Sequence, residues 1–491
     1  MPRLNRPDGT GGGAEDAGGS GSKGDLAIVL HSHMPYVEGF GTYPFGEEWL
    51  FDAVVRSYLP VLEVAERMTV TVTPVLADQL EAPGVAERLV AFVDELRAST
   101  CEADGAEMPA NLGEAAFEDA CLSEAKRYRD ALARLEALGG DPLQAFCEPA
   151  TAGRIELAAS SATHAVLPLL ATLAGRRVQI DAGLRSHARR FGKAAGFWLP
   201  ECAYEPGLER LLAERGLQWF VSDQSEHGAP LDALAPVATA AGPVAFTIDW
   251  EAVSWLWSLQ GYPSDQAHRD FHRQSLRGAR PWSIGGGVYD PAAADAAAAR
   301  QANEFLAAIA ERLERFAAER GRRGLVVFAI DTELLGHWWW EGPQWLREVV
   351  LRAEGHGVEL VTLSQARARH VPEERPLLAS TWGEEKDLRT WDSPEVADLA
   401  WAARRLELRL LRALGDGLVD GAAERAVREL LALQASDWAF LDRRRQAGDY
   451  PFQRATDHAQ AMLEAIHSVD PPEGSLRNLA PDLSLSPLLE P

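Results

Sequence analysis

An α/β fold built on a mainly parallel sheet, followed by an all-α region, is predicted for this 491-residue chain by three observations. Short apolar runs rich in β-branched residues alternate with helical segments between Leu26 and Leu363. Polar residues able to carry chemistry stand where several of these runs end. From about Pro394 the apolar residues recur at three- and four-residue spacing, with no strand-like run. The alternation fits a closed barrel or an open doubly wound sheet, and the chain is long enough to bury a large core and divide into more than one unit.

Taken in order, residues 1–24 are Gly-rich and low in complexity and are expected to form a flexible tail. "LAIVL" (Leu26–Leu30) reads as the first buried strand and delivers "HSHMPY" at its end. A helix is expected near Glu48–Met68, then a strand over "TVTVTPVL" (Thr69–Leu76). Between about residues 84 and 145 the chain becomes charged and Ala/Leu-rich, a helical insertion stopped by Gly139 and Gly140. Strands are expected again in "RIELAAS", "AGFWLP", "LQWFVSD", "PVAFTI", "LVVFAI" and "VELVTL", with helices such as Leu167–Arg185 and Ala299–Glu319 between them. This places a catalytic unit at 25–375, a helical unit at 376–470 and an irregular tail at 471–491. No internal repeat is visible.

The formal charge of −25 argues against phosphate-driven binding to nucleic acid or to an anionic membrane, and favours a neutral substrate. Cys101, Cys121, Cys147 and Cys202 show neither CxxC spacing nor a disulfide framework, as expected of reduced thiols in a cytoplasmic protein. No run approaches the roughly 20 apolar residues that span a bilayer, and no basic segment followed by an apolar core opens the chain. Fifteen tryptophans against eight tyrosines is an unusual surplus. It calls for a use, and indole rings stack on the apolar faces of sugars.

In parallel barrels and open α/β sheets the reacting groups sit at the carboxyl ends of strands. His31/His33, Glu156, Glu201 and Asp331 are read into that position. His31 and His33, two apart on extended backbone, point to one side. Each taken singly is more simply a strand-end polar group meeting loop backbone; the shared position favours a site. An acid desolvated just after an apolar strand has a raised pKa and suits a proton donor, whereas one held by hydrogen-bond donors stays anionic and suits nucleophilic attack. Glycosidic bond cleavage needs two such acids. Rings beside polar residues in "GHWWW", "SWLWS", "STWGEEKDLRTWDS" and "ASDWAF" favour sugar binding, while Trp401, inside a helical pattern, reads as core. A rival reading has "HSH" binding zinc with an acid such as Asp331 or Glu333, as in metal-dependent deacetylases, although no HExxH or HxxxH spacing is present.

Five blocks in order, "HSHMPY" with "PFGEEWL", "GRIELAASSATHAVLPLL", "GFWLPECAYEPGLERLL", "FAIDTELLGHWWWEG" and "TWGEEKDLRTW", followed by "LQASDWAF", resemble glycoside hydrolase family 57 and, within it, the members that branch α-1,4-glucans. The resemblance spans roughly Leu26 to Arg445. It implies a (β/α)7 barrel with a helical insertion and a C-terminal all-α domain. It implies Glu201 as nucleophile, Asp331 as general acid/base, and His31, His33 and His164 as histidines around the cleaved bond. Trp257, Trp382 and Trp391 match aromatic subsites, and Asp437 matches a polar contact from the C-terminal domain. Trp198, His337 and Trp338, in the same blocks, join the expected substrate-binding set. The implied substrate is an α-1,4-glucan such as glycogen, amylose or a modified glucan. No metal or organic cofactor is expected, and the oligomeric state is open.

The chain departs from the family pattern in a shorter loop after "WLPEC" with no tyrosine between Tyr204 and Tyr262, in Ile248-Asp249 where Arg-Asp is usual, in the acidic "WGEEKD", and in Tyr43 where tryptophan is expected. Hydrolysis, 4-α-glucanotransfer and non-catalytic glucan binding therefore stand beside branching as alternatives.

Overall fold

The computed structural model describes residues 22–38, 46–112, 115–467 and 478–489. Most of the predicted N-terminal tail, Tyr43 and the start of the predicted C-terminal tail lie outside these residues. Among the described residues there are eight strands: β1 (Gly24–Ser32), β2 (Met68–Val72), β3 (Ile155–Ala158), β4 (Gly196–Trp198), β5 (Trp219–Ser222), β6 (Val244–Thr247), β7 (Gly324–Asp331) and β8 (Val358–Leu360).

All pairings among these strands are parallel. β7 runs beside β1 over its length, with His31 opposite Asp331. β2 joins the other edge of β1, and β3 joins β2. A parallel bridge from Ala159 to Phe197 links β3 to β4, which leads to β5 and β6. A hydrogen bond from Asp249 N to Val327 O (2.9 Å) then connects the end of β6 to β7. The seven strands thus close a ring in chain order. β8 is an eighth, short strand that fills the amino-terminal part of the β1 edge, below β2.

Both faces of such strands are covered, so most are continuous apolar runs; every residue of β1 is buried, and β2 alternates Thr with apolar residues yet is buried throughout. Gly196 opens β4 because a Cβ there would lie 2.0 Å from the Trp219 ring on the next strand. The expected strand at Thr69–Leu76 ends at Val72. Pro74, with no N–H to give to a sheet, instead starts the helix Pro74–Leu80. The helix before β7 is longer than the apolar spacing indicated, running Pro291–Arg320. Asp290 caps it by accepting from Ala292 N, and Gly321, at φ +66°, ends it. Leu167–Leu169 is a separate single turn; the main helix, Leu173–Phe191, starts at the Thr172 cap.

Between β2 and β3 lie helices Val85–Val93, Ser99–Leu112 and Ala116–Ala137. After β8 come Ala397–Gly415, Asp420–Leu433, Ser436–Arg444 and Tyr450–His467. Their core of Leu410, Val427, Leu430, Leu431 and Met462 is continuous with Tyr36, Val75, Ala162 and Val178 of the barrel side. These helices therefore close over the end of the barrel where β1 delivers its histidines. Trp401 is not core: at 59% exposed it lies on the outer face of its helix. Residues 478–489 are packed rather than loose, with Ala480 N donating to the buried Asp78 carboxylate (2.7 Å).

Candidate active site

β1 and β2 together set the first layer. Thr69, Thr71 and Thr73 alternate along the second strand and its exit, so their side chains share one side. Thr71 Oγ1 meets His31 Nδ1 (2.6 Å) and Thr73 Oγ1 meets His33 Nδ1 (3.0 Å). Thr69 bonds Glu156 (3.2 Å), which also accepts from the Ser364 backbone N (3.0 Å) and hydroxyl. Glu156 is the second residue of its strand, so it sits away from the carboxyl end. It is a satisfied structural carboxylate, which corrects its expected place in the site.

The three histidines stack. His164 lies 4.8 Å from His31 and 4.1 Å from His33 between ring centroids, and His31 lies 4.6 Å from the fully buried Trp198. His33 Nε2 reaches both carboxylate oxygens of Asp437 (3.0 and 3.1 Å), and His164 Nδ1 reaches Ser436 Oγ (2.9 Å). The C-terminal helices therefore supply two groups to this end of the barrel.

Glu201 follows β4 in a tight turn, with φ +59° at Glu201 and +50° at Cys202. Non-glycine residues occupy this region at a cost, and pairs of them mark sites whose geometry the surroundings impose. Trp382 provides that imposition: its backbone N donates to Glu201 O and its Nε1–H to Glu201 Oε2, both at 2.9 Å. His164 Nδ1 is 3.5 Å from Glu201 Oε1. Burial raises the Glu201 pKa, opposed by the hydrogen bonds from Ser436 and Trp382.

Asp331 ends β7. Burial and the charges of Glu333 and Glu201 hold its pKa well above the usual carboxylate range, and only His33 acts the other way. Glu333, two residues on, accepts from the Tyr58 hydroxyl and from His33 N (3.1 Å); burial pushes its pKa up to about 7. His31 is forced well below its ordinary pKa by burial and by His33, so it is neutral. For His33 the Asp437, Glu333 and Glu201 charges outweigh burial and raise the pKa.

The structure thus gathers His31, His33, His164, Trp198, Glu201, Asp331, Trp382 and Asp437. It does not gather the rest of the expected set. Gly336, at φ +104° and with no room for a Cβ against Arg56 O (1.9 Å), turns the chain away after β7. His337 and Trp338 consequently pack with Phe271, at 6.0 and 4.8 Å. Trp257 is 55% exposed on a turn, and Trp391 is 3% exposed beneath the C-terminal helices, among Val166, Ala203, Val396 and Ala439.

Sequence reasoning missed the supports: Tyr58, Thr71, Thr73, Ser436 and the pair of half-buried Lys386 with buried Asp223 (2.9 Å), whose lysine also lies 3.1 Å from the Trp250 ring. Only the threonines carried a signal, their period of two. Among the described residues, no group of three or more His, Cys, Asp and Glu is arranged to hold a metal ion. Both ring nitrogens of His33 are engaged within the protein. No helix among them is long and apolar enough to cross a membrane.

A family model described as glycosyl hydrolase family 57 matches residues 27–378, and one described as the C-terminal part of 1,4-alpha-glucan branching enzyme matches 399–480. A 1,4-alpha-glucan branching enzyme of Thermococcus kodakarensis is 32% identical over 89% of this chain and 72% of its own length. A probable 1,4-alpha-glucan branching enzyme of Mycobacterium tuberculosis is 33% identical over 90% and 91%. The crystal structure of the Pyrococcus horikoshii branching enzyme superimposes with a TM-score of 0.87 at 28% identity, covering 95% of this chain and 97% of that one. Barrel, helical cap and paired acids at strand ends accompany sequence similarity along most of the chain: it belongs to glycosyl hydrolase family 57.

Proposed function

We propose that this protein is a retaining 1,4-α-glucan branching enzyme, with Glu201 as nucleophile and Asp331 as acid and base. The observation that carries the assignment of roles is the contrast between the two carboxyls. Burial raises both pKa values, but an indole N–H and a serine hydroxyl oppose the rise at Glu201, while the charges of Glu333 and Glu201 itself add to it at Asp331.

In the first step a Glu201 oxygen attacks the anomeric carbon of an α-1,4 linkage, and the Asp331 proton passes to the departing O4. A glucan chain is left as an ester on Glu201. In the second step Asp331, now ionised, takes the proton of an acceptor 6-hydroxyl, whose oxygen displaces Glu201 and forms the α-1,6 branch. Neutral His31, whose Nε2 has no partner in the protein, bonds a hydroxyl of the sugar at the cleavage point, while His33, held by Thr73 and Asp437, orients the stack. Transfer rather than hydrolysis requires that water be kept from the ester.

The test is proton NMR of amylose incubated with wild type, following the α-1,6 anomeric signal and total reducing ends. A growing α-1,6 signal at constant reducing ends is expected. Reducing ends rising without that signal would replace branching by hydrolysis.

Two further outcomes follow from the geometry. Trp382→Phe keeps a ring but removes the Nε1–H donor to Glu201. Hydrogen bonds to charged groups are worth about 1.5–3 kcal/mol, so kcat should fall about 10- to 100-fold. Because that bond lowers the Glu201 pKa, its loss should also move the acid limb of the pH–rate profile to higher pH. An unmoved limb would separate Trp382 from Glu201.

Glu333→Gln bears on the other limb. Asp331 must be protonated in the first step, so activity is lost as pH rises through its pKa. The Glu333 charge raises that pKa, and Glu333 carries its charge above its own pKa of about 7. Glu333→Gln should therefore shift the alkaline limb of kcat/KM to lower pH.

A further inference from the structure

The stretch "SWLWS" contributes two tryptophans, and only Trp257 was expected in the reaction. Trp255 lines a different feature, a cleft of ≈ 720 Å³ between the turn after helix Trp250–Ser254 and the long helix Pro291–Arg320. Its walls include Trp255, Gln260, Tyr262, Asp265, Arg300 and Gln301. No member of the Glu201 cluster lines it. The volume falls within the ~300–1,000 Å³ range of ligand pockets.

Three features define what such a cleft would take. Trp255 is 38% exposed and lies 5.6 Å from the Tyr262 ring at 30°, so the two form a tilted aromatic wall open on one side. The wall is held in place: Tyr262 N donates to Trp255 O (2.9 Å), and a Cβ on Gly261 would lie 2.5 Å from Leu256 O.

Second, the Ser258, Gln260 and Ser264 side chains line the cleft, hydroxyl and amide groups that both donate and accept. Gln301 Nε2 and the Arg300 guanidinium both bond Asp265 Oδ2 (3.1 and 2.8 Å), which fixes the polar wall opposite the rings.

Third, the charge is mixed. Arg300 is answered by Asp265 and by Glu304, which also lines the cleft, so an anionic ligand gains nothing here. A ring face, no free cation among the described lining residues and side chains that both donate and accept suit a polyhydroxylated, uncharged molecule with apolar C–H faces.

We propose that this cleft is a second glucan-binding site that holds a stretch of the polymer away from the catalytic carboxyls. The choice of an α-glucan as its ligand rests on the function proposed above; the site itself rests on the cleft. Anchoring a long chain at a second point raises its effective concentration at the reacting centre without a new contact there.

The test is affinity electrophoresis in native gels containing amylose, with wild type, Trp255→Ala and Trp255→Tyr, together with branching kinetics on long amylose. Trp255→Ala should weaken retention about three- to tenfold and raise KM for long amylose by a similar factor. Its kcat should stay within about twofold of wild type, and Trp255→Tyr should restore most of the retention. Unchanged retention and KM in a folded Trp255→Ala protein overturns the proposal, as does a fall in kcat at unchanged retention. If Trp255→Ala fails to fold, Arg300→Ala on the half-exposed helix face carries the same expectation and the same overturning result. A wild type that forms no α-1,6 linkage, yet loses amylose retention with Trp255→Ala, supports the site and counts against branching. Branching with retention independent of Trp255 does the reverse.

Discussion

Glu201→Gln is expected to abolish α-1,6 bond formation on amylose, lowering turnover by at least about 10⁴-fold. The amide is nearly isosteric and its carbonyl still accepts from Trp382 Nε1–H, so the turn at φ +59° and the histidine stack should persist. What is lost is the anion. Without it neither a glucan ester nor an ion-paired transition state is stabilised, and both steps stop together. The measurement is the α-1,6 NMR signal, paired with mass spectrometry after reaction with a glycosyl fluoride whose slow second step lets the ester accumulate. A mass increase on the peptide carrying Glu201 in wild type, absent in the variant, is expected. Substantial branching by a folded Glu201→Gln protein would remove Glu201 from the mechanism.

Asp331→Asn is expected to cost about 10²–10⁴-fold, the usual reach of general acid–base catalysis. The distinguishing readout is the leaving group. A glycosyl fluoride leaves without protonation, so the first step should proceed on it at near wild-type rate, while amylose, whose O4 needs a proton, is left nearly uncut. The second step still lacks its base, and added azide, which needs no deprotonation, should speed turnover of the ester. If amylose and the fluoride are impaired alike, Asp331 is not the acid. Because Asp331 is already neutral where Glu201 titrates, the acid limb should stay in place in this variant.

Much of the fold was legible because it depends on local pattern. Apolar runs such as "LAIVL" and "LVVFAI" are continuous rather than alternating, as most strands covered on both faces are. The mistakes were at boundaries set by single residues: Pro74 ends a strand that the β-branched run would have continued, and Asp290-Pro291 starts a helix eight residues before its apolar spacing becomes clear. The candidate site was legible where it is built on strands. His31, His33, Glu201 and Asp331 converge because a parallel ring brings all carboxyl ends to one side. Glu156 was misplaced for want of a register, since a short strand does not reveal which of its ends a residue is near.

By itself the sequence determined the alternation of strands and helices, the acids and histidines at strand ends and the aromatic surplus, because these follow from side-chain period and residue chemistry within a few neighbours. Only the tertiary structure decided that hydrogen bonds oppose the burial of one carboxyl while neighbouring charges add to the burial of the other. That distinction comes from groups distant in sequence: Trp382 and Ser436 against Glu201, Glu333 beside Asp331 and Tyr58 against Glu333, Asp437 against His33. Electrostatic environment depends on distance in space and on burial. The folded chain alone sets both.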